Sequence, residues 1–234
     1  MIIGGFQRFS LIDYPDKICA IVFTQGCNFR CPYCHNPELV RLARKRPISA
    51  AGGLKEEEIL SFLDGRKGRL DAVTITGGEP LLQSDLERFI SAVKGLGYLV
   101  KLDTNGSFPS RLEKILESKS VDYIAMDIKT SLDKYNQVIK RKIEKTKILD
   151  SISLIMDSGL DYEFRTTVVR ALFERDDFFK IGQLIKDSRL YILQRFVLSK
   201  TLDDQFLDMQ TCSDEELDCF KEIMEGFVQR CVLR

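Results

Sequence analysis

Gly26-Cys27-Asn28-Phe29-Arg30-Cys31-Pro32-Tyr33-Cys34-His35-Asn36 sets three thiols within eight residues, in the pattern Cys-x3-Cys-x2-Cys. Thiolates are soft, strongly donating ligands that select zinc or iron–sulfur clusters, and so short a loop lets neighbouring sulfurs converge on one centre. Three is the informative number: a cubane 4Fe-4S cluster bound by three protein thiolates keeps one iron open to another ligand. The competing reading is a Cys3His zinc site completed by His35, the single histidine of the chain. Adjacent Cys34 and His35 would have difficulty reaching one tetrahedral ion, and the fourth zinc ligand normally comes from a second, distant pair, which this sequence lacks. Cys27, Cys31 and Cys34 are therefore expected to hold a metal cluster, with a zinc site or reduced, unligated thiols as the alternatives.

Working outward, residues 18–23 form a continuous apolar run of buried-strand length, and residues 2–9 read as a lead-in strand or short hairpin. Residues 41–53 are basic and then glycine-rich, the composition of a mobile connection, and residues 54–63 have helical spacing with an acidic first turn. Strand patterns at 72–76, 98–102, 123–126, 162–169 and 191–198 then alternate with helical patterns at 85–96, 110–117, 148–158 and 177–186. A last helix runs from about 213 to 231, with Ser213 as its cap. Six strand–helix units imply a parallel sheet in an α/β protein, with the C-terminal end of every strand on one rim. Periodicity is compatible with a partial, open (β/α)6 barrel or with a doubly wound open sheet.

With no internal repeat and no long linker, residues 1–234 are expected to form a single domain, with a core at about 16–198. The 35 acidic and 35 basic side chains balance, so there is no electrostatic case for nucleic acid or an anionic membrane. The N-terminal residues lack a secretory leader and no apolar run approaches the ~20 residues of a membrane helix, which together predict a cytoplasmic protein. Cys19 reads as a strand residue; Cys212, Cys219 and Cys231 read as core or helix thiols, with a second cluster as the alternative.

Three strand ends carry polar motifs. Thr76-Gly77-Gly78-Glu79-Pro80 follows the second strand, and two adjacent glycines expose backbone where a ligand can lie, although glycine pairs more often make turns. Asp103-Thr104-Asn105-Gly106 ends the third strand and Asp127-Ile128-Lys129 the fourth. Seen singly these are a turn and a solvated strand end; together they bring carboxylates, an amide and an ammonium to one rim, suited to a carboxylate-bearing ligand or a small cation.

The run from Cys27 to Cys34 resembles the signature of the radical S-adenosylmethionine (SAM) enzymes. The wider segments Gly5-Phe6-Gln7-Arg8-Phe9-Ser10-Leu11-Ile12-Asp13-Tyr14-Pro15, Phe23-Thr24-Gln25-Gly26 and Cys34-His35-Asn36-Pro37-Glu38-Leu39 resemble the glycyl-radical-enzyme activating branch, nearest to the activating proteins of anaerobic ribonucleoside-triphosphate reductase. The resemblance, over residues from about 4 to 198, implies the partial (β/α)6 barrel with parallel strands. It implies a 4Fe-4S cluster on Cys27, Cys31 and Cys34 whose open iron is chelated by SAM. One electron from a flavodoxin- or ferredoxin-like donor then cleaves SAM, and the resulting 5′-deoxyadenosyl radical abstracts hydrogen from a glycine of a partner enzyme.

By the same resemblance Gly77, Gly78 and Glu79 receive the SAM amino group, and Lys129 pairs its carboxylate. Asp103, Thr104 and Asp127 would ligate a monovalent cation, with Asn105 beside them, and Tyr33 and His35 would lie near the adenine. Arg165 and Thr167 would reach the ribose and carboxylate, and Gln194, in the sixth-strand pattern, would face the pocket. One departure stands out: the usual Val-Pro-Gly and following histidine are replaced by Val169-Arg170-Ala171-Leu172-Phe173, so no downstream histidine is available for the ribose. Within the same chemistry the alternatives are a small-molecule substrate or another glycyl radical enzyme; outside it, a zinc-stabilised binding module.

Overall fold

The apolar runs become strands and the amphipathic stretches helices in the computed structural model, which describes residues 1–40 and 54–234. The connection expected at 41–53 lies outside the described residues. In chain order the elements are β1 (Ile3–Ser10), β2 (Cys19–Thr24), α1 (Pro37–Val40), α2 (Glu56–Asp64), β3 (Ala72–Gly77), α3 (Leu86–Gly95), β4 (Leu99–Thr104), α4 (Pro109–Glu117), β5 (Tyr123–Asp127), α5 (Tyr135–Val138), α6 (Thr146–Asp157), β6 (Asp161–Val168), α7 (Arg175–Leu184), β7 (Tyr191–Arg195), α8 (Asp214–Glu225) and β8 (Cys231–Leu233). The strands are hydrogen-bonded in chain order. β1 runs antiparallel to β2, whereas β2–β3, β3–β4, β6–β7 and β7–β8 are parallel.

The six expected strands are β2 to β7. One element differs: the last helix, expected to run to about 231, stops at Glu225, and Cys231–Leu233 pairs with β7 instead. Gly226 caps that helix. A three-residue strand is too short to show a period of two, so its apolar residues were indistinguishable from a helix end. Ser213 caps α8 as expected, its hydroxyl accepting from Glu216 N–H at 3.2 Å while Glu216 returns a bond to Ser213 N–H at 2.8 Å.

By contact the described residues divide into two compact units: Met1–Asn28, Glu38–Thr104 and Ser110–Ile124 form one; Phe29–Pro37, Asn105–Pro109 and Ala125–Arg234 form the other. In the first, β2 and β3 are buried on both faces, as parallel strands covered by helices are. Cys19 and Ile21 pack there with Tyr14, Ala72 and Tyr123. The apolar stripe Leu86, Phe89, Ile90 and Val93 buries one side of α3. In the second unit α7 and α8 meet through Phe178 stacked on Phe220, centroids 4.2 Å apart. Just past α8 the chain comes so close to α7 that a Cβ at Gly182 would lie 2.4 Å from the ring of Phe227.

Asp177 anchors the start of α7. Almost wholly buried, it accepts from Ser131 Oγ at 2.7 Å, Lys134 Nζ at 2.8 Å and Glu174 N–H at 2.9 Å. Burial alone would raise its pKa, but the hydrogen bonds, led by Lys134, hold it below the usual carboxylate value. A depressed folded pKa gives stability that is present above the unfolded value of about 3.9 and is lost as pH falls through the folded one. Asp177→Asn should therefore cost about 1–3 kcal/mol at neutral pH, with the gap to wild type closing as pH falls below about 4, read by urea denaturation across that range.

Candidate functional site

In the second unit the cysteine loop is built around its last two thiols. Cys34 N–H donates to Cys31 C=O at 3.1 Å, closing a turn that carries both. Burial pushes the Cys31 thiol up to about 11, with the Lys129 ammonium pulling the other way, so a metal must displace a proton there. Tyr33 is buried between Phe196 and Phe206, at 6.5 and 6.4 Å. His35 stacks on Phe196 at 5.2 Å with its ring nearly parallel, and its Nε2 lies 3.0 Å from Val197 C=O. Burial lowers the His35 pKa, favouring the neutral ring. Both residues are thus clamped to the segment after β7.

The end of β5 holds a charge cluster. Arg165 Nε donates to Asp127 Oδ1 at 2.9 Å and Lys129 Nζ to Oδ2 at 3.0 Å. Burial would raise the Asp127 pKa, but Arg165 and then Lys129 hold it well below the carboxylate range. Burial would lower Lys129, yet Asp127 keeps it raised and charged. Two cations thus flank Asp127, and Arg165 also lies 3.7 Å from the buried Glu163, so ammonium, guanidinium and carboxylate groups are gathered in one cluster. Thr167 pairs in register with Gln194 on β7, and Arg165 and Thr167 share one face of β6. Asn105 Oδ1 accepts from Ser107 N–H at 3.0 Å and Ser107 Oγ at 2.5 Å, an Asx-type turn.

In the first unit the glycine pair has a steric cause. Gly77 sits at φ +110°, and a Cβ on it would lie 2.4 Å from Thr24 N; one on Gly78 would lie 2.0 Å from Gly26 O. Gly78 N–H donates to Thr24 C=O and Glu79 N–H to Gly26 C=O, at 2.9 and 2.8 Å. Glu79, fully buried, accepts on Oε1 from Leu81 N–H at 3.1 Å and from Thr104 Oγ1 at 2.8 Å. Asp103 lies 3.2 Å from Lys101 Nζ, which also donates to Asp13 C=O at 2.7 Å.

Sequence reasoning missed Lys101 and Glu163, both buried. A signal existed for each: Lys101 and Asp103 stand two apart on β4, hence on one face, and Glu163 stands two before Arg165 on β6, 3.7 Å from its guanidinium.

Among the described residues no three His, Cys, Asp or Glu side chains are gathered for one metal ion. The fit of a cluster therefore rests on the donor set: all seven cysteines are reduced thiols, three lie in the one loop, and His35 Nε2 is turned to a backbone carbonyl. These soft donors suit iron–sulfur chemistry.

Residues 21–178 match the radical SAM superfamily. A Methanocaldococcus jannaschii protein that bears the name glycyl-radical enzyme activating enzyme is 35% identical, over 100% of this chain and 95% of its own length. The pyruvate formate-lyase-activating enzyme of Streptococcus mutans is 32% identical over 83% of this chain and 75% of its own. Among solved structures, Streptococcus suis SuiB bound to S-adenosylmethionine superposes with a TM-score of 0.65 at 12% identity, covering 90% of this chain and 48% of that one, a likeness of fold. The chain belongs to the radical SAM superfamily and has its α/β fold, a partial barrel with parallel strands. Within it the chain is an enzyme of the glycyl-radical-enzyme activating branch, whose cofactors are SAM and a 4Fe-4S cluster and whose partner is a glycyl radical enzyme. No described helix is long and apolar enough to cross a membrane.

The buried bonds of Glu79 separate two substitutions. Glu79→Ala should lose about 1–3 kcal/mol by leaving Leu81 N–H and Thr104 unsatisfied, whereas Glu79→Gln, which keeps an acceptor oxygen, should lose less than half of that in thermal or urea unfolding.

Proposed function

We propose that this enzyme activates anaerobic ribonucleoside-triphosphate reductase, taking its electron from a flavodoxin- or ferredoxin-like donor. The observation that carries the reading is the sequence from Phe23 to Leu39, in which the three thiols stand inside the surrounding residues of that activating group. Cys27, Cys31 and Cys34 hold the cluster. When bound, cluster and SAM together supply a one-electron reductive cleavage that delivers the hydrogen-abstracting radical.

The chain's own residues bind, orient and exclude. Lys129 and Arg165, both ordered by Asp127, attract the methionine carboxylate. Gly77, Gly78 and Glu79 offer backbone and carboxylate to the amino group. Asp103, Thr104 and Asp127 supply oxygens for a monovalent cation, with Asn105 beside them. Tyr33 and His35 support the adenine, and Thr167 and Gln194 lie on adjacent strands where they can reach the ribose. The protein works in the cytoplasm, where low-potential donors of this kind reside. The similarity to pyruvate formate-lyase-activating enzymes favours a second partner, pyruvate formate-lyase.

The test is anaerobic. Reconstituted with iron and sulfide and given SAM and reductant, the protein should form 5′-deoxyadenosine, and Cys27→Ser should abolish both the visible charge-transfer absorption and the product. Electron paramagnetic resonance of mixtures with each partner then decides between them: a glycyl doublet on the reductase alone supports the reading, and one on pyruvate formate-lyase alone replaces it.

A further inference from the structure

We propose that the exposed basic run following α5 is the docking face for an acidic, one-electron donor protein; this rests on the function proposed above and names the surface its donor uses. Lys140-Arg141-Lys142-Ile143-Glu144-Lys145-Thr146-Lys147 carries five cations against one carboxylate, in a chain whose acidic and basic residues balance as a whole. Lys140, Arg141, Lys142 and Lys145 are exposed. Among the described residues no ion pair engages these four, whereas Lys147 lies 3.5 Å from Glu144.

A solvated lysine face is common, so position decides the matter. Arg30, in the cysteine loop between Cys27 and Cys31, donates its backbone N–H to Ile139 C=O at 2.9 Å. Ile139 is the residue immediately before the run. Phe29 packs edge-on against Tyr135, the first residue of α5, at 6.3 Å. Lys140 adopts φ +51°, a left-handed turn that fixes where the run leaves the loop's own partner. Arg30, Pro32 and Lys140 line an open cavity of about 530 Å³ together with Asp203 and Asp204.

Charge complementarity of this kind steers encounter and sets register more than it adds affinity, so binding should be fast and salt-sensitive. The reduced donor gives up one electron to the metal centre held by the loop and is itself oxidised by one electron; no bond is made or broken at the face.

The experiment compares the full chain with K140E/R141E/K142E and K140Q/R141Q/K142Q. Each is titrated with an acidic flavodoxin at low and physiological salt, and 5′-deoxyadenosine formation is driven either by flavodoxin hydroquinone or by dithionite. Charge reversal should weaken flavodoxin binding by at least about tenfold and neutralisation by an intermediate factor, while wild-type binding falls as salt rises. Flavodoxin-driven turnover should fall in step and dithionite-driven turnover stay within about twofold. Flavodoxin binding and turnover equal to wild type in both variants would overturn the proposal, as would a loss confined to binding of the glycyl radical enzyme or of a DNA oligonucleotide. Failure of the wild type to cleave SAM with dithionite would remove the proposed function, while the flavodoxin isotherms would still decide the docking face.

Discussion

A Cβ at Gly78 would sit 2.0 Å from the carbonyl oxygen of Gly26, and the exclusion of any side chain there is the constraint from which the cysteine loop takes its starting point. With no side chain between them, the end of β3 and the chain just past β2 meet backbone to backbone, through Gly78 N–H to Thr24 and Glu79 N–H to Gly26. Leu39 C=O receives Gly26 N–H at 2.7 Å and Val40 C=O receives Cys27 N–H at 3.3 Å, which holds the first thiol's backbone as well. Glu79 then closes the arrangement by satisfying Leu81 N–H and the Thr104 hydroxyl in a fully buried position. A glycine pair that a sequence reader assigns to ligand approach is thus already required by the fold, and the two demands are compatible because both need bare backbone.

The second organising feature is the charge cluster at Asp127. Asp127 lies between Lys129 and Arg165 and orders both cations, with Glu163 3.7 Å from the Arg165 guanidinium. Paired in this way, the cations are held in place, the condition for recognising a carboxylate ligand without a large rearrangement on binding. Asp103 is different: its neighbour Lys101 is buried beneath it, so this carboxylate belongs to an ion pair as well as to any ligand it meets.

Much of this was readable in advance. The six parallel strands follow from apolar runs of strand length separated by amphipathic stretches, and the thiol spacing and rim motifs follow from residue type and order. The one misread element has a local cause. β8 is three residues long and sits just beyond a helix, where no period can be seen. Tyr33 and His35 carry no mark in the sequence of the Phe196, Phe206 and Val197 groups that clamp them, because those partners lie more than 160 residues away.

By itself the sequence determined the thiol donor set, the alternation that makes a parallel α/β sheet, and the membership of the polar motifs at strand ends, since each depends on residue identity and short-range spacing. Tertiary structure alone decided which partners those groups meet: Arg165 on Asp127, the backbone contact that demands Gly78, and the place where a run of lysines emerges beside the cysteine loop. These are contacts between segments far apart in the chain, fixed by strand register and side-chain packing, and no local pattern encodes them.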